Sequence, residues 1–518
     1  MQGGGSGLRT RPLIGDGTLA ATLSNGAKRH PILTALALGL VLRTTAAFIG
    51  WGWFAIDDYL YVVEPAWRWL EEPSWPYPSL RRSPLLAHAF HGLMSAAQSM
   101  GATDPRTVLQ IAYFGLGLWS LLAIPAAFLL AKRLGDRTAA IAALLIAVHP
   151  LMPRISTRAL IEVVAIVPLV WSLTLIERSV TGSLRRKLSM ATGGGLLFGL
   201  AVMLRFQVGV MAIAITGWLL WHNLRHNRQR RGEPGAFAPF IGFALAGIVA
   251  VTAQGGLDVV HGRPFFSTML WYVGSNLDSS DSFGASSWYT YLWHLLALTV
   301  PPATVLLAKP LWRAARSHAL VSLCLAVFVL AHTLVPHKED RFMFPILPLA
   351  LVLLAAALVD LHRGGRWERW TVRFFWAFNV VALVVATTSD AHRNLTTPLA
   401  AIGRLGGTYE VAVVGSRQVP DYYLGSSSRA QGFAETDLFV DAVITGKLRP
   451  DFVLFRPEPN PYELEVLRNL GLQCRGPTMF PGDLVDRVLV VLNPRHNERR
   501  HAVALFDCRP KNRGDVGP

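Results

Sequence analysis

Residues 31–53, PILTALALGLVLRTTAAFIGWGW, form an apolar run with a single charge, Arg43, and they follow the basic triplet Lys28-Arg29-His30. A helix of this length reaches the roughly 30 Å needed to cross a bilayer core. The run ends in bulky Trp-Gly-Trp rather than a small-residue cleavage site, so it reads as an uncleaved first span. Similar runs lie near 108–131, 137–152, 159–176, 189–204, 207–222, 237–254, 290–308, 318–336, 343–361 and 370–388, which predicts about eleven transmembrane helices. The two runs flanking Arg205 are the least distinct pair. The whole chain agrees: 518 residues, 52% hydrophobic against 16% charged, with a mean hydropathy of +0.36. That balance excludes a string of soluble domains. The expected fold class is therefore an α-helical polytopic membrane protein.

The net charge of +16 would suggest nucleic acid in a soluble chain. Here membrane orientation and cytoplasmic-leaflet lipids explain it better, and no nucleic-acid partner is expected. With the N-terminus inside, the inner connections carry Lys132/Arg133/Arg137, Arg178/Arg185/Arg186/Lys187, Arg225/Arg228/Arg230/Arg231, Lys309/Arg313/Arg316 and Arg363/Arg366/Arg369/Arg373. This is the positive-inside asymmetry. The outer connections, about 50–107, 153–158, 205–206, 255–289 and 337–342, then hold most of the unusual polar residues. The arginine-dominated basic set points to a GC-rich, bacterial coding sequence, hence an inner (plasma) membrane.

Residues 1–30 are Gly-, Ser-, Thr- and Arg-rich and read as a disordered cytoplasmic arm. Residues 31–390 form the transmembrane domain, and residues 391–518 a small soluble α/β domain on the extracytoplasmic side. Strands are expected at Tyr409–Gly415, Asp451–Phe455, Arg487–Asn493 and Ala502–Phe506, with a helix near Pro461–Leu470. Val414-Gly415-Ser416 lacks the full GxGxxG spacing, so little points to a nucleotide site there. Three cysteines exclude a disulfide-dense scaffold and show no zinc-ligand spacing. Cys474 and Cys508 share the outer domain and could pair in an oxidising compartment, whereas Cys324 packs within a span.

Two outer clusters could carry chemistry. Asp57-Asp58-Tyr59, followed by Glu64-Pro65, sets adjacent carboxylates at a membrane surface, where repulsion and desolvation raise proton affinity and suit a general base. The alternative is a solvated loop anchored by Trp51 and Trp53. His337-Lys338-Glu339-Asp340-Arg341-Phe342 offers cations for a phosphate, or a snorkelling helix end. Arg43, Arg205, and Arg158 with Glu162 lie at similar depth and predict a shared polar cavity opening outward. Between Asp258 and Trp293, His261-Gly262-Arg263, Asn276 and Phe283-Gly284-Ala285-Ser286-Ser287-Trp288-Tyr289 suit either sugar stacking or an interfacial aromatic belt.

Together these pieces resemble the GT-C glycosyltransferases that include the GPI-anchor and ALG-type mannosyltransferases. Asp57-Asp58-Tyr59 with Glu64-Pro65 is similar to that family's first-loop Asp-Glu-aromatic...Glu-Pro pattern, and residues 337–342 to its more specific His-Lys-Glu-x-Arg-Phe signature. Trp75-Pro76-Tyr77 with Arg82-Ser83, and Asp258...Gly262...Asn276...Phe283-Gly284...Trp288-Tyr289, resemble two further family segments, over about residues 35–390. Departures are Asp58 for Glu, Pro76 for Glu and His261 for Tyr.

The resemblance implies an inverting membrane enzyme that moves mannose from a polyprenyl-phosphate donor to a lipid-linked or glycan acceptor on the outer face. In that reading Asp57 is the base, with Asp58 its substitute. His337, Lys338 and Arg341 hold the leaving phosphate, aided by Arg205 and Arg82. Glu64, Trp75, Asp258, Asn276, Trp288 and Tyr289 line the substrate. No cofactor is required, no metal ligands are assigned, and a divalent metal is allowed. The main rival is a lipid-linked-sugar flippase, although no internal repeat of the transporter kind is visible. A GT-C enzyme using another lipid-linked sugar, and a non-catalytic assembly protein, are the remaining alternatives.

Overall fold

The computed structural model describes residues 30–50, 52–229, 235–278, 284–457, 459–494, 497 and 500–509. All of the expected arm except His30, and Trp51, Arg230, Arg231 and Phe283, lie outside the described residues.

Helix α1 (Pro31–Phe48) opens with proline at its first position, where the missing N–H costs nothing. Its buried face is Ala35, Gly39, Arg43, Ala46 and Ala47, while Leu33, Val41 and Phe48 face outward. Small residues on the inner face let the backbone approach its neighbours. A Cβ at Gly39 would lie 2.9 Å from Ile124 Cδ1. The segment after α1 then folds as α2 (Glu64–Glu71) and α3 (Leu85–Ser99) before α4 (Pro105–Leu121), which continues as α5 (Ala123–Ala131). Next come α6 (Asp136–Val148), short helical pieces at Leu151–Ser156 and Ile161–Val164, and α7 (Ile166–Ser179). A hairpin follows of α8 (Leu184–Leu204) and α9 (Met211–Gln229), broken at Arg205, whose backbone is extended. Helix α10 (Ala238–Val260) packs on α8 so closely that a Cβ at Gly195 would lie 2.4 Å from the Phe243 carbonyl oxygen. After α11 (Ser267–Asp278) come α12 (Thr304–Ser317), α13 (Ala319–Thr333), α14 (Leu347–His362) and α15 (Arg366–Thr388). Helix α14 is apolar on every side and buried along nearly its whole length, so it is the bundle's central helix.

Among the described residues, six helices are long and apolar enough to cross a membrane alone, or seven if α12 and α13, bent by 110°, count as one span. The sequence expectation of about eleven differs because several apolar runs form shorter helices: α6 has 13 residues, α7 has 14 and α13 has 15. The run at 290–308 is not one helix. Thr290–Ala297 ends before Pro301-Pro302, and an amphipathic α12 begins beyond them.

Two of the buried arginines are structural ties rather than cavity residues. Arg43 donates to Ser120 Oγ (2.6 Å) and to the carbonyls of Ala147 and Ile146 (3.3 and 3.2 Å), which lie at the end of α6. Arg158 donates to the Thr157 carbonyl (2.6 Å) and lies over the Tyr113 ring at 5.0 Å. Glu162 pairs with Arg205 at 3.2 Å instead of with Arg158.

Beyond α16 (Arg393–Gly403) lies a five-stranded sheet of order β2-β1-β3-β5-β4. Its strands are β1 (Glu410–Val414), β2 (Arg429–Phe433), β3 (Phe452–Phe455), β4 (Arg475–Phe480) and β5 (Val503–Asp507). β1 is parallel to both β2 and β3, and β5 is antiparallel to β3 and β4. Helices α17 (Thr436–Ile444), α18 (Pro461–Asn469) and α19 (Leu484–Leu492) complete the unit. Residues 487–493, expected as a strand, belong mostly to α19. Asp483 caps that helix by accepting from the Asp486 N–H (2.7 Å), and a local cap outweighs the β-branched composition. Strands β2 and β4 escape sequence reading because their polar and glycine-containing segments show no apolar alternation. At the Val414-Gly415-Ser416 turn, the Gly415 and Ser416 N–H groups both donate to the Phe433 carbonyl (2.8 and 2.9 Å), so neither is offered to a phosphate. Cys474 and Cys508 form a disulfide, and Cys324 is free and buried.

The sheet unit packs onto the segment that follows α1 through one apolar cluster containing Trp53, Tyr59, Trp67, Val411, Tyr422 and Leu454. Trp53 is therefore a core residue stacked on His392 (4.8 Å), not an interfacial anchor. Tyr59 Oη donates to Asp421 Oδ1 (2.8 Å) and accepts from the Tyr422 N–H (2.9 Å). Arg68 donates to the other oxygen of Asp421 (2.9 Å).

Candidate active site

Immediately after α1, Ile56–Asp58 form a single helical turn that widens into a π-turn over Tyr59–Val63 before α2. Such widened turns recur at functional sites. Asp57 and Asp58 are consecutive positions of the helical turn before the π-turn, about 100° apart around its axis, and so point in different directions. Asp57 faces a cavity of about 380 Å³ that is also lined by Tyr61, Arg82, Arg205, Asn276, His337 and Arg341. Asp58 turns inward, 4% exposed, and its Oδ2 accepts from the N–H groups of Phe54 (3.2 Å) and Ala55 (3.1 Å). It closes the turn that presents Asp57 and does not line the cavity.

Asp57 Oδ2 accepts from Arg341 Nη2 at 2.5 Å and Arg82 Nη2 at 2.6 Å. Burial alone would raise its proton affinity, but the two guanidiniums outweigh that and hold the carboxyl down at about 2. For Asp58 burial prevails over the more distant Arg341 and pushes the carboxyl up to about 7.

The segment at 337–342 enters the bundle through a 3-10 turn, Asp340–Ile346, that leads directly into α14. Because α14 is the central helix, this turn is anchored by the core. Glu339 clamps Arg341 through Nε (2.6 Å) and Nη2 (3.0 Å) and also contacts His337 Nε2 (3.0 Å). Burial raises the Glu339 carboxyl, and Arg341 beside it more than reverses that, leaving it below its ordinary range. Asp340 faces away and pairs with His294 (3.0 Å). Lys338, expected at the phosphate, instead donates its ammonium to the carbonyls of Val335 (2.8 Å) and Ser286 (3.2 Å), tying two loops together outside the cavity lining.

Arg205 comes to the cavity from the break between α8 and α9, paired with the buried Glu162 and lying 5.1 Å from the Phe342 ring centroid. Asn276, on α11, donates to the Tyr272 carbonyl (2.7 Å) at the cavity wall.

The other expected substrate residues lie elsewhere. Glu64 is 3.9 Å from Arg68, next to Asp421, and burial with that neighbouring carboxylate pushes it up to about 7. The Trp75 carbonyl accepts from Trp69 Nε1 (2.9 Å), and its ring packs beside Trp69 and Tyr77. Asp258 is buried and holds Thr268 through its hydroxyl (2.5 Å) and N–H (3.2 Å) at the start of α11. Trp288 and Tyr289 are 65% and 45% exposed and pack edge to face on each other, away from the cavity lining.

Tyr61, Ser79, Arg81, Tyr272 and Ser275 line the cavity without having been singled out. Arg81 was legible as the neighbour of Arg82. Tyr272 and Ser275 carry no signal beyond lying one helical turn before Asn276 and directly beside it. An apolar groove of about 320 Å³ lies beside the cavity, lined in part by Phe54, Leu295, Phe344, Leu347 and Phe378. Phe54 and Phe344, in edge contact at 5.2 Å, connect this groove to the segments bearing Asp57 and Arg341.

A sequence profile described as that of the Alg9-like mannosyltransferase family matches residues 35–410. GPI mannosyltransferase 3 of Trypanosoma brucei brucei is 29% identical over 209 residues, 36% of this chain and 35% of that protein. The match thus spans about a third of the relative's length. Crystal structures of ArnT from Cupriavidus metallidurans superpose with TM-scores of 0.60 with undecaprenyl phosphate bound and 0.61 in the apo state. They share 11% and 12% identity and cover 94% and 92% of this chain and 99% and 98% of theirs. At that identity the likeness concerns the fold, a GT-C fold.

Proposed function

Because the chain belongs to the Alg9-like mannosyltransferase family, we propose that it transfers mannose from a polyprenyl-phosphate donor to a hydroxyl of a lipid-linked or glycan acceptor. The observation that carries this reading is the Asp57 carboxylate suspended between Arg82 and Arg341 in the cavity. A donor phosphate entering there competes with Asp57 for both guanidiniums. As they turn to the phosphate, the carboxylate loses the charges that depress it and becomes a better proton acceptor.

The acceptor hydroxyl then attacks the anomeric carbon. The carbon–oxygen bond to phosphate breaks, its electron pair leaves with the polyprenyl phosphate, and the hydroxyl proton passes to Asp57. Attack opposite the leaving group inverts the anomeric centre. Arg82, Arg341 and Arg205 stabilise the charge that develops on the phosphate, and His337 stands beside them. These cations meet the needs of a monophosphate, so a divalent metal is not needed. The adjoining apolar groove suits the first isoprene units of the donor.

The charge asymmetry of the connections supports a cytoplasmic N-terminus and an extracytoplasmic cavity and sheet unit in a bacterial inner membrane. The Cys474–Cys508 bridge, suited to an oxidising compartment, supports the same orientation. The test is a transfer assay with radiolabelled polyprenyl-phosphate-mannose and purified protein. Wild type moves label to a glycolipid acceptor, and Asp57→Asn, normally folded, loses at least about a hundredfold of that rate. Near-normal turnover by Asp57→Asn removes the base assignment, and movement of intact donor without cleavage favours a flippase.

A further inference from the structure

At the end of the bundle opposite the catalytic cavity, the start of α6, the end of α14 and the first turns of α15 enclose a second cavity of about 360 Å³. Helix α14 links the two. It begins just after the turn carrying Arg341 and runs 16 residues to His362, which separates the cavities by about 24 Å. Nothing in the transferase mechanism uses this second space.

Its lining divides into two kinds of surface. Arg137, His362 and Arg373 supply the polar side, and Ile141, Leu358 and Trp376 are among its apolar walls. Of the acidic residues close to this end, Asp136 pairs with Lys132 (2.6 Å), Glu177 with Arg133 (3.5 Å) and Asp360 with Arg313 (3.0 Å), while Glu368, in the first turn of α15, is outside the pocket lining. Neither Arg137 nor Arg373 makes an ion pair with a carboxylate among the described residues. Two unneutralised guanidiniums against an apolar wall call for a ligand that is anionic at one end and greasy at the other. Trp367 and Trp370, on the first turns of α15, are 75% and 55% exposed. Exposed tryptophans of this kind sit at headgroup depth, which places the pocket at the membrane–water boundary.

We propose that this pocket binds an anionic phospholipid, Arg137 and Arg373 pairing with its phosphate while Leu358, Ile141 and Trp376 cover the first carbons of an acyl chain. The pocket stands apart from the transferase reading, and only the choice of the cytoplasmic leaflet rests on the orientation proposed above.

The test is native mass spectrometry of the purified full chain in detergent, titrated with phosphatidylglycerol or phosphatidylcholine of identical acyl chains. Wild type should retain phosphatidylglycerol preferentially, and Arg137→Gln/Arg373→Gln should weaken that retention by about thirtyfold. Arg185→Gln/Arg186→Gln, which removes the same charge from another connection, should leave it unchanged. Equal retention of the two lipids by wild type overturns the proposal even if the double variant fails to fold. Equal losses in the two double variants overturn it as well, by reducing the effect to bulk charge. Displacement of the lipid by millimolar inorganic phosphate would identify a free-anion site and refute the lipid assignment.

Discussion

Arg341→Lys separates a positioned guanidinium from a mere positive charge. In the structure Arg341 uses Nε and Nη2 against Glu339 and Nη2 against Asp57, three hydrogen bonds from one planar fork. A lysine ammonium keeps the charge, but as a shorter point donor it cannot span both carboxylates with the same geometry. If it stays with Glu339, the leaving phosphate loses one aimed donor. Loss of such a donor typically costs about 3 kcal/mol of transition-state stabilisation, or roughly a hundredfold in rate. A second effect has its own sign. Burial raises the Asp57 carboxyl, and Arg82 and Arg341 together bring it down to about 2. A lysine ammonium drawn back to Glu339 no longer donates to Asp57 and holds its charge farther off, so the Asp57 carboxyl moves upward. The wild-type free enzyme therefore keeps Asp57 ionised through the mildly acidic range. In the variant, kcat/KM for the donor falls as pH drops toward the ordinary carboxylate value of about 4. The assay is initial-rate transfer of radiolabelled mannose by purified protein at equal folded concentration, from about pH 4 to 8. Turnover within about threefold of wild type, with no new acid limb, would refute the phosphate-holding and base-tuning roles together.

Asp58→Asn should retain activity to within about threefold, since one amide oxygen can still accept from Phe54 and Ala55 N–H and burial already pushes the native carboxyl toward its neutral form, up to about 7. A loss as large as that of Asp57→Asn in the same transfer assay would return the base role to Asp58. Lys338→Gln should lower the melting temperature of the purified protein by a few degrees while leaving turnover per folded molecule nearly unchanged, because its ammonium ties Val335 to Ser286 rather than reaching the cavity. A rate loss without a stability loss would contradict that geometry. In a Cys324→Ala background, a membrane-impermeant thiol reagent should label Ser427→Cys in intact cells and Arg185→Cys only after permeabilisation, both positions being exposed. The reverse pattern would invert the proposed orientation and place the catalytic cavity in the cytoplasm.

Residue type and spacing make the two chemically loaded segments, 57–58 and 337–342, visible before any coordinates, because a run of charges beside an apolar span is costly unless it has a use. They cannot say which charge of each segment reaches the cavity. Asp57 and Asp58 are neighbours of the same type, and only the rotation of the helical turn that carries them separates the residue bonded to two arginines from the one bonded to two backbone amides. Lys338 and Arg341 are likewise both cations. Their division of labour depends on a carbonyl at Ser286 and a carboxylate at Asp57, 52 and 284 residues away along the chain. Arg43, Arg158 and Arg205 show the same limit from inside the bundle. Their equal depth is legible, but two of them satisfy backbone carbonyls left open where helices end, and Arg205 alone meets a buried carboxylate at the cavity wall. Sequence period locates a polar group along the membrane normal. Which neighbour neutralises it depends on how the helices are rotated about that normal, and rotation follows from small-residue contacts such as Gly39 on Ile124 and Gly195 on Phe243. Residues fully enclosed between helices are therefore the ones whose role reads worst from sequence. Arg341 is no less buried, but the turn that opens onto the central helix directs it into the cavity while turning its neighbour Asp340 away toward His294.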